Sequence, residues 1–287
     1  MKLLRHGAPG AERPALLDAD GHLRDLSGLL GDLTADHLSP ERLDALRALD
    51  PARLPRVSQT GPLAVPWRGC GKFVCIGLNY ADHAAEAGQP VPTEPIVFMK
   101  PVSCMVGAEH ALVLPPGSTK TDWEVELGVV IGRRARHVSE ADALSHVAGY
   151  CVVNDVSERE YQLERGGTWD KGKGCDTFGP VGPWLVTADE VPDPQALDLW
   201  LDVDGQPMQR GNTRTMVFTV ARLVSEVSRY MTLHPGDLIA TGTPPGVGLG
   251  MKPQPRFLKP GETVTLGIAG LGAQRQVVHA WREDLLD

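Results

Sequence analysis

A mixed, β-rich α+β fold with few helices is what the sequence predicts, and three observations predict it. Glycine and proline are abundant, 32 and 24 of 287 residues, and are spread along the chain instead of gathering in tracts. That usage marks many turns between short strands. Short apolar runs bounded by turn residues outnumber helical patterns. Only one stretch, from about Val217 to Met231, shows clean helical spacing, with Val220, Leu223, Val224, Val227 and Met231 on one stripe.

In chain order, residues 1–66 read as a small N-terminal α+β module. It has short strands around an Asp20-Gly21 turn and a helical stretch from Ser39 to Leu49. Pro51, Pro55, Pro62 and Pro66 punctuate its end, which sets a boundary near Trp67 and leaves 67–287 as the main domain. There the pattern predicts strands over Lys72–Gly77 and Ile96–Lys100 with a short helix from Asn79 to Gly88 between them. Trp123–Gly132 alternates, with Val125, Leu127 and Val129 on one face and Glu124, Glu126 and Gly128 on the other. Ser139 with Asp142, and Ser157 with Glu160, have capping-box spacing for two further short helices. Tyr150–Asp155 reads as a buried strand ending on two polar residues. Asp204-Gly205 marks a hairpin after the strand Leu197–Val203. Strands over Leu238–Thr241, Glu262–Ile268 and Gln276–Trp281 complete the pattern.

An apolar fraction of 42% and a charged fraction of 22% place the chain among ordinary globular proteins and exclude a disordered one. The formal net charge of -8 argues against a nucleic-acid partner, which needs a basic face. Five cysteines, odd in number and without a Cys-x-x-Cys pair, read as reduced thiols. No apolar run approaches a membrane span, and the first residues do not build a signal peptide, so a soluble cytoplasmic protein is expected.

The candidate chemistry starts at Asp122-Trp123-Glu124-Val125-Glu126-Leu127. Residues two apart on a strand project from one face, so Glu124 and Glu126 stand side by side. Two such carboxylates repel unless a cation neutralises them or one keeps its proton. Alone, an E-x-E is more often a solvated strand face. Asp155 adds a third acid at the polar end of an apolar strand, where an unpaired carboxylate is costly to bury. Two glutamates and an aspartate are an all-oxygen set that suits Mg²⁺ or Mn²⁺ first and Ca²⁺ second. His83 and Glu86 are three apart on a short helix, near enough for the carboxylate to orient the imidazole, although read alone they are an ordinary surface pair. Lys173 lies in the Gly-rich Trp169–Gly174 loop, whose backbone can approach a ligand, with Lys171 as a rival. Thr241, Gly242 and Thr243 offer hydroxyls and amides that suit gripping a carboxylate.

Several segments together resemble the fumarylacetoacetate hydrolase family in order and spacing, over residues from about 70 to 282. They are Gly77-Leu78-Asn79-Tyr80, Asp82-His83-x-x-Glu86, Phe98-Met99-Lys100-Pro101, Glu124-x-Glu126-Leu127, Asn154-Asp155-Val156-Ser157-x-Arg159, Gly172-Lys173 and Thr241-Gly242-Thr243-Pro244-x-Gly246-Val247-Gly248. One departure is Gly174-Cys175, where family members often carry Ser-Phe. The resemblance implies a rolled mixed β-fold, usually homodimeric, with an octahedral Mg²⁺ or Mn²⁺ held by Glu124, Glu126 and Asp155 and chelating the 1-carboxylate and 2-oxo oxygens of a small 2-oxo acid. It implies that His83 and Glu86 draw a proton from water on a segment that closes over the site. Arg159 and Gln162 match positions lining the substrate pocket, and Lys173 the family's lysine. The implied activity is C–C bond hydrolysis of a 2,4-dioxo acid of the acylpyruvate type. The family also contains isomerases or tautomerases of hydroxyheptadienedioate-type diacids, oxaloacetate decarboxylases and ureidoglycolate lyases, and a non-catalytic metal-binding protein is a further alternative. The N-terminal module resembles that of longer members and points toward a sugar-derived or catabolic dioxo acid.

Overall fold

The computed structural model describes residues 1–58, 61–86 and 88–286. Three strands open the chain, β1 (Lys2–His6), β2 (Arg13–Leu17) and β3 (Leu23–Asp25), before helices α1 (Ser27–Leu30) and α2 (Pro40–Arg47). Then come β4 (Phe73–Gly77), helix α3 (Ala81–Glu86), β5 (Ile96–Lys100), β6 (Met105–Gly107), β7 (Leu112–Val113) and β8 (Thr121–Asp122). The central strands are β9 (Val125–Ile131) and β10 (Val147–Asn154). They are followed by β11 (Ser157–Glu158), α4 (Arg159–Leu163), α5 (Asp170–Lys173) and β12 (Gly179–Thr187). The chain ends with β13 (Asp198–Val203), β14 (Gln206–Asn212), α6 (Val220–Tyr230), β15 (Leu238–Ala240), β16 (Thr263–Ile268) and β17 (Gly272–His279).

Local sequence accounts for most of these boundaries. Ser39 accepts the Arg42 amide at 3.4 Å and Pro40 takes the first helical position, which starts α2. Thr219 caps α6 by accepting the Arg222 amide at 3.2 Å, and Val220, Leu223, Val224 and Val227 are buried as the stripe predicts. Asp204 and Gly205 join β13 to β14 with φ of 49° and 72°, the pair of positive values that a two-residue hairpin needs. Two predicted caps differ. Ser139 donates to the Asp142 carboxylate at 2.7 Å and closes a turn, and the helical turn Ala143–His146 starts only after it. Ser157 is held in β11 opposite Asp122, so Glu158 caps α4 instead, accepting the Tyr161 amide at 2.7 Å.

The main sheet has ten strands in the order β3-β2-β1-β12-β10-β9-β15-β4-β5, with β6 beside β12. Pairing of β1 with β12 carries the strands of residues 1–66 into this sheet, and the Trp67 indole, 1% exposed, donates to the Gly236 carbonyl at 2.9 Å. A second sheet runs β14-β13-β16-β17-β7. Between the sheets lies one core, to which β9 contributes Val125, Leu127, Val129 and Ile131, joined by Leu199, Leu266 and the buried face of α6. The opposite face of the main sheet carries Val130, Cys151 and Val153 against Leu3, Leu38, Leu43 and Trp67.

The predicted alternation of β9 therefore holds, and register decides what its polar face meets. Val153 pairs with Glu126 and Asn154 with Val125, so Asp155 falls opposite Glu124, whose carbonyl accepts the Asp155 amide at 2.9 Å. Three carboxylates are thereby delivered to one end of an apolar sheet face.

Leu127 follows Glu126 on β9 and is fully buried in the inter-sheet core. Leu127→Ala is expected to lower unfolding stability by about 2–5 kcal/mol. The exposed Leu29→Ala should stay within about 0.5 kcal/mol of the parent in the same denaturant titration.

Candidate active site and divalent-cation site

Glu124, Glu126 and Asp155 are 5%, 2% and 0% exposed, and each places a carboxylate oxygen within 4.8 Å of the others. Three buried cations surround them. Lys173 Nζ donates to Glu124 Oε2 at 2.6 Å and to Asp155 Oδ2 at 2.8 Å. Lys100 Nζ donates to Asp155 Oδ1 at 2.7 Å and to the Val156 carbonyl at 3.0 Å. Arg159 reaches Glu124 Oε1 at 2.7 Å and Asp122 Oδ2 at 2.8–2.9 Å, and donates to Gln162 Oε1 at 2.9 Å.

Charge explains how the site titrates. Burial alone would raise the Glu124 pKa, but the Lys173 and Arg159 charges outweigh it and bring the group down to about 2. Burial would likewise discharge Lys173, yet Asp155 and Glu124 hold its pKa above the usual lysine value. Glu126 differs: burial, then the Asp155 and Glu124 charges, push its pKa well above the carboxylate range. Its one donor is the Gly242 amide at 2.9 Å, and among the described residues it forms no ion pair.

A hard divalent cation fits this donor set. The ligands are all carboxylate oxygens, they converge, and one of them is buried without a counter-charge. Glu124, Glu126 and Asp155 are the residues that would hold it.

The remaining predicted residues divide. His83 Nδ1 lies 3.1 Å from Glu86 Oε2, and Glu86 accepts the Gly246 amide at 3.0 Å, so α3 is seated on the 246–250 segment. His83, Glu86, Glu124, Glu126, Arg159, Gln162, Lys173 and Thr243 line one cavity of about 520 Å³. Thr241 and Gly242 are not part of its wall. The Thr241 and Thr243 hydroxyls donate to the Leu127 and Val125 carbonyls at 2.9 Å, and the Gly242 amide is taken by Glu126, so this segment pins β9 and its carboxylate instead of offering free hydroxyls. Lys173 comes not from an open glycine loop but from α5. Gly172 lets α5 press on α4: a Cβ there would sit 2.3 Å from the Glu158 carbonyl. Lys171 turns away and donates to the Arg165 carbonyl at 2.7 Å.

Sequence reasoning missed four supports. Lys100 is buried against Asp155, and its signal was a lysine closing the apolar strand Ile96–Lys100. Asp122 shares the strand face of Glu124 and accepts the Gly248 and Leu249 amides at 2.7 and 3.0 Å, so the alternation already contained a third acid. Gln209 accepts the Val125 amide, between the two glutamates, at 2.9 Å and donates to Thr243 Oγ1 at 2.7 Å. Asn154 accepts the Glu124 amide at 3.2 Å and donates to Gln276 at 3.2 Å. Gln209 and Gln276 carried no signal, since each has polar neighbours in the sequence.

Comparison with known proteins identifies relatives along almost the whole chain. Residues 72–279 match the family model described as fumarylacetoacetate (FAA) hydrolase C-terminal. A Burkholderia multivorans relative, provisionally named a hydrolase without a substrate, is 64% identical over 98% of this chain and 100% of its own. Fumarylacetoacetate hydrolase from psychrophilic Exiguobacterium antarcticum is 34% identical with a TM-score of 0.85, covering 98% of this chain and all of that one. Maleylpyruvate hydrolase from Sphingobium sp. SYK-6, in complex with manganese(II) and pyruvate, is 30% identical with a TM-score of 0.80 and the same coverage. A 2-hydroxyhepta-2,4-diene-1,7-dioate isomerase from Mycobacterium marinum is 32% identical with a TM-score of 0.73, over 98% of both chains.

Because the elevated Glu126 pKa means that a cation must displace a proton there, Mn²⁺ affinity should strengthen as pH rises through that value. Calorimetry on Glu126→Gln should show binding weakened about tenfold or more, roughly 1.4 kcal/mol, with the pH dependence reduced. Equal affinity in the variant and the parent would remove Glu126 from the site.

Proposed function

The chain belongs to the fumarylacetoacetate hydrolase family, and from that premise we propose that it is a divalent-metal-dependent hydrolase cleaving the C–C bond of a 2,4-dioxo acid to a carboxylic acid and pyruvate. One observation carries this reading: Glu124 and Glu126, which converge with the buried Asp155, share a cavity with Lys173 and with the His83–Glu86 pair. The homodimeric, cytoplasmic setting expected from the resemblance is part of the same proposal.

Mg²⁺ or Mn²⁺ held by Glu124, Glu126 and Asp155 would supply Lewis acidity and a template for the 2-oxo acid end. The protein's own groups do the rest. Glu86 Oε2 beside His83 Nδ1 keeps the imidazole proton on that nitrogen, which leaves Nε2 as the base that takes a proton from water. The water oxygen bonds to the C4 carbonyl carbon. The C3–C4 bond then breaks, its electron pair passes to C3 as the pyruvate enolate, and protonation at C3 gives pyruvate. Lys173, held charged by Asp155 and Glu124, places a positive charge where that enolate develops. Gln162 is fixed through its oxygen by Arg159, so its amide N–H₂ is turned to donate into the cavity.

The same enolate chemistry serves an isomerase or decarboxylase. The 64%-identical Burkholderia multivorans relative named as a hydrolase supports the hydrolytic reading over these.

Acetylpyruvate should be hydrolysed with Mg²⁺ or Mn²⁺, and EDTA should abolish the activity reversibly. His83→Ala should lower kcat by about 10² or more while leaving Mn²⁺ binding intact. Full turnover in chelator, or an unchanged rate in His83→Ala, would contradict the proposal.

A further inference from the structure

Apart from Gln89 and Lys252, the side chains lining the cavity that do not serve the reaction are mostly apolar. Ile96, Phe98, Trp169, Leu163 and Leu249 line it, and Leu163 and Leu249 are 48% and 38% exposed. Phe98 and Trp169 meet edge to face with ring centroids 5.2 Å apart. The indole lies flush on the backbone of Gly77, where a Cβ would come within 2.5 Å of the ring, so this wall is preformed. A stiff aromatic corner of this kind gains by burying an apolar surface and offers nothing to a hydroxyl.

The cations tell the same story from the other side. Arg159 is committed to Asp122, Glu124 and Gln162, and Lys173 to Glu124 and Asp155. Lys252 is the one basic lining residue without an ion pair among the described residues, and it is exposed, where solvent screens its charge. A second carboxylate on the substrate would therefore be desolvated against the apolar wall with no buried partner.

We propose that the enzyme takes monocarboxylic acylpyruvates whose 4-acyl group is apolar, aryl or alkyl, and selects against dioxo acids that end in a second carboxylate or carry hydroxyls. This rests on the hydrolase reading, and it departs from the sugar-acid substrate suggested by the N-terminal module. The test measures kcat/KM with Mn²⁺ for 4-phenyl-2,4-dioxobutanoate, 2,4-dioxoheptanoate, the length-matched 2,4-dioxoheptanedioate, 5,6-dihydroxy-2,4-dioxohexanoate and acetylpyruvate. The apolar acids should exceed the diacid and the dihydroxy acid by about tenfold or more, and Trp169→Ala should cut the phenyl-to-methyl ratio by about tenfold. A preference for the diacid that disappears in Lys252→Gln, or a preference for the dihydroxy acid, overturns the inference and leaves the hydrolase reading standing. Turnover of none of them overturns the hydrolase reading, and the inference with it.

Discussion

Four carboxylates, Asp122, Glu124, Glu126 and Asp155, are buried together with three cations, Lys100, Arg159 and Lys173. Direct pairs join six of these seven groups. Glu126 is left with one amide donor and a strongly raised pKa. A charge placed in that position is expensive to keep unless something neutralises it, and the surrounding structure holds it in place all the same. The register of β9 against β10 sets Asp155 opposite Glu124, Gly172 lets α5 deliver Lys173, and Thr241–Thr243 fastens β9 from behind. A buried carboxylate held without a counter-charge beside two others suits a divalent cation.

How much of this was legible follows from which interactions are local. The glutamates were readable because β9 alternates strictly, and Asp155 because a carboxylate closes an apolar strand. The pairing of Glu124 with Asp155 was not, since register depends on two strands separated by a long connection. Asp122 went unnoticed although it lies in phase with Glu124, and Lys100 looked like a strand-end lysine because its partner is 55 residues away. Gln209, Gln274 and Gln276 have polar neighbours in β14 and β17, yet each is buried and satisfies backbone groups that strand pairing leaves open. The caps were misjudged for a related reason: Ser157 has the right spacing, but its pairing with Asp122 removes it from the helix start. Thr241 and Thr243 showed the right residues with the wrong task, because hydroxyls at a strand end serve backbone carbonyls as readily as ligands.

The cavity joins two chemistries that the sequence presented separately. One end is a charged cluster of carboxylates and cations, and the other is an aromatic and aliphatic wall centred on Phe98 and Trp169. Lys173 belongs to both, ion-paired to the carboxylates and 5.2 Å from the centre of the Phe98 ring. The His83–Glu86 helix, resting on Gly246, brings the imidazole to the same space. Phe98 lies in a segment shared with the family, whereas Trp169, Leu163 and Leu249 lie outside the shared segments.

The central claim is that Glu124, Glu126 and Asp155 are the ligands of one divalent cation. Anomalous diffraction from crystals grown with Mn²⁺ tests it most directly. A single manganese peak within coordination distance of all three carboxylates, lost in Asp155→Asn, is the result the account predicts. A peak elsewhere, or a Glu124–Glu126–Asp155 cluster that stays free of manganese at saturating concentration, would contradict it.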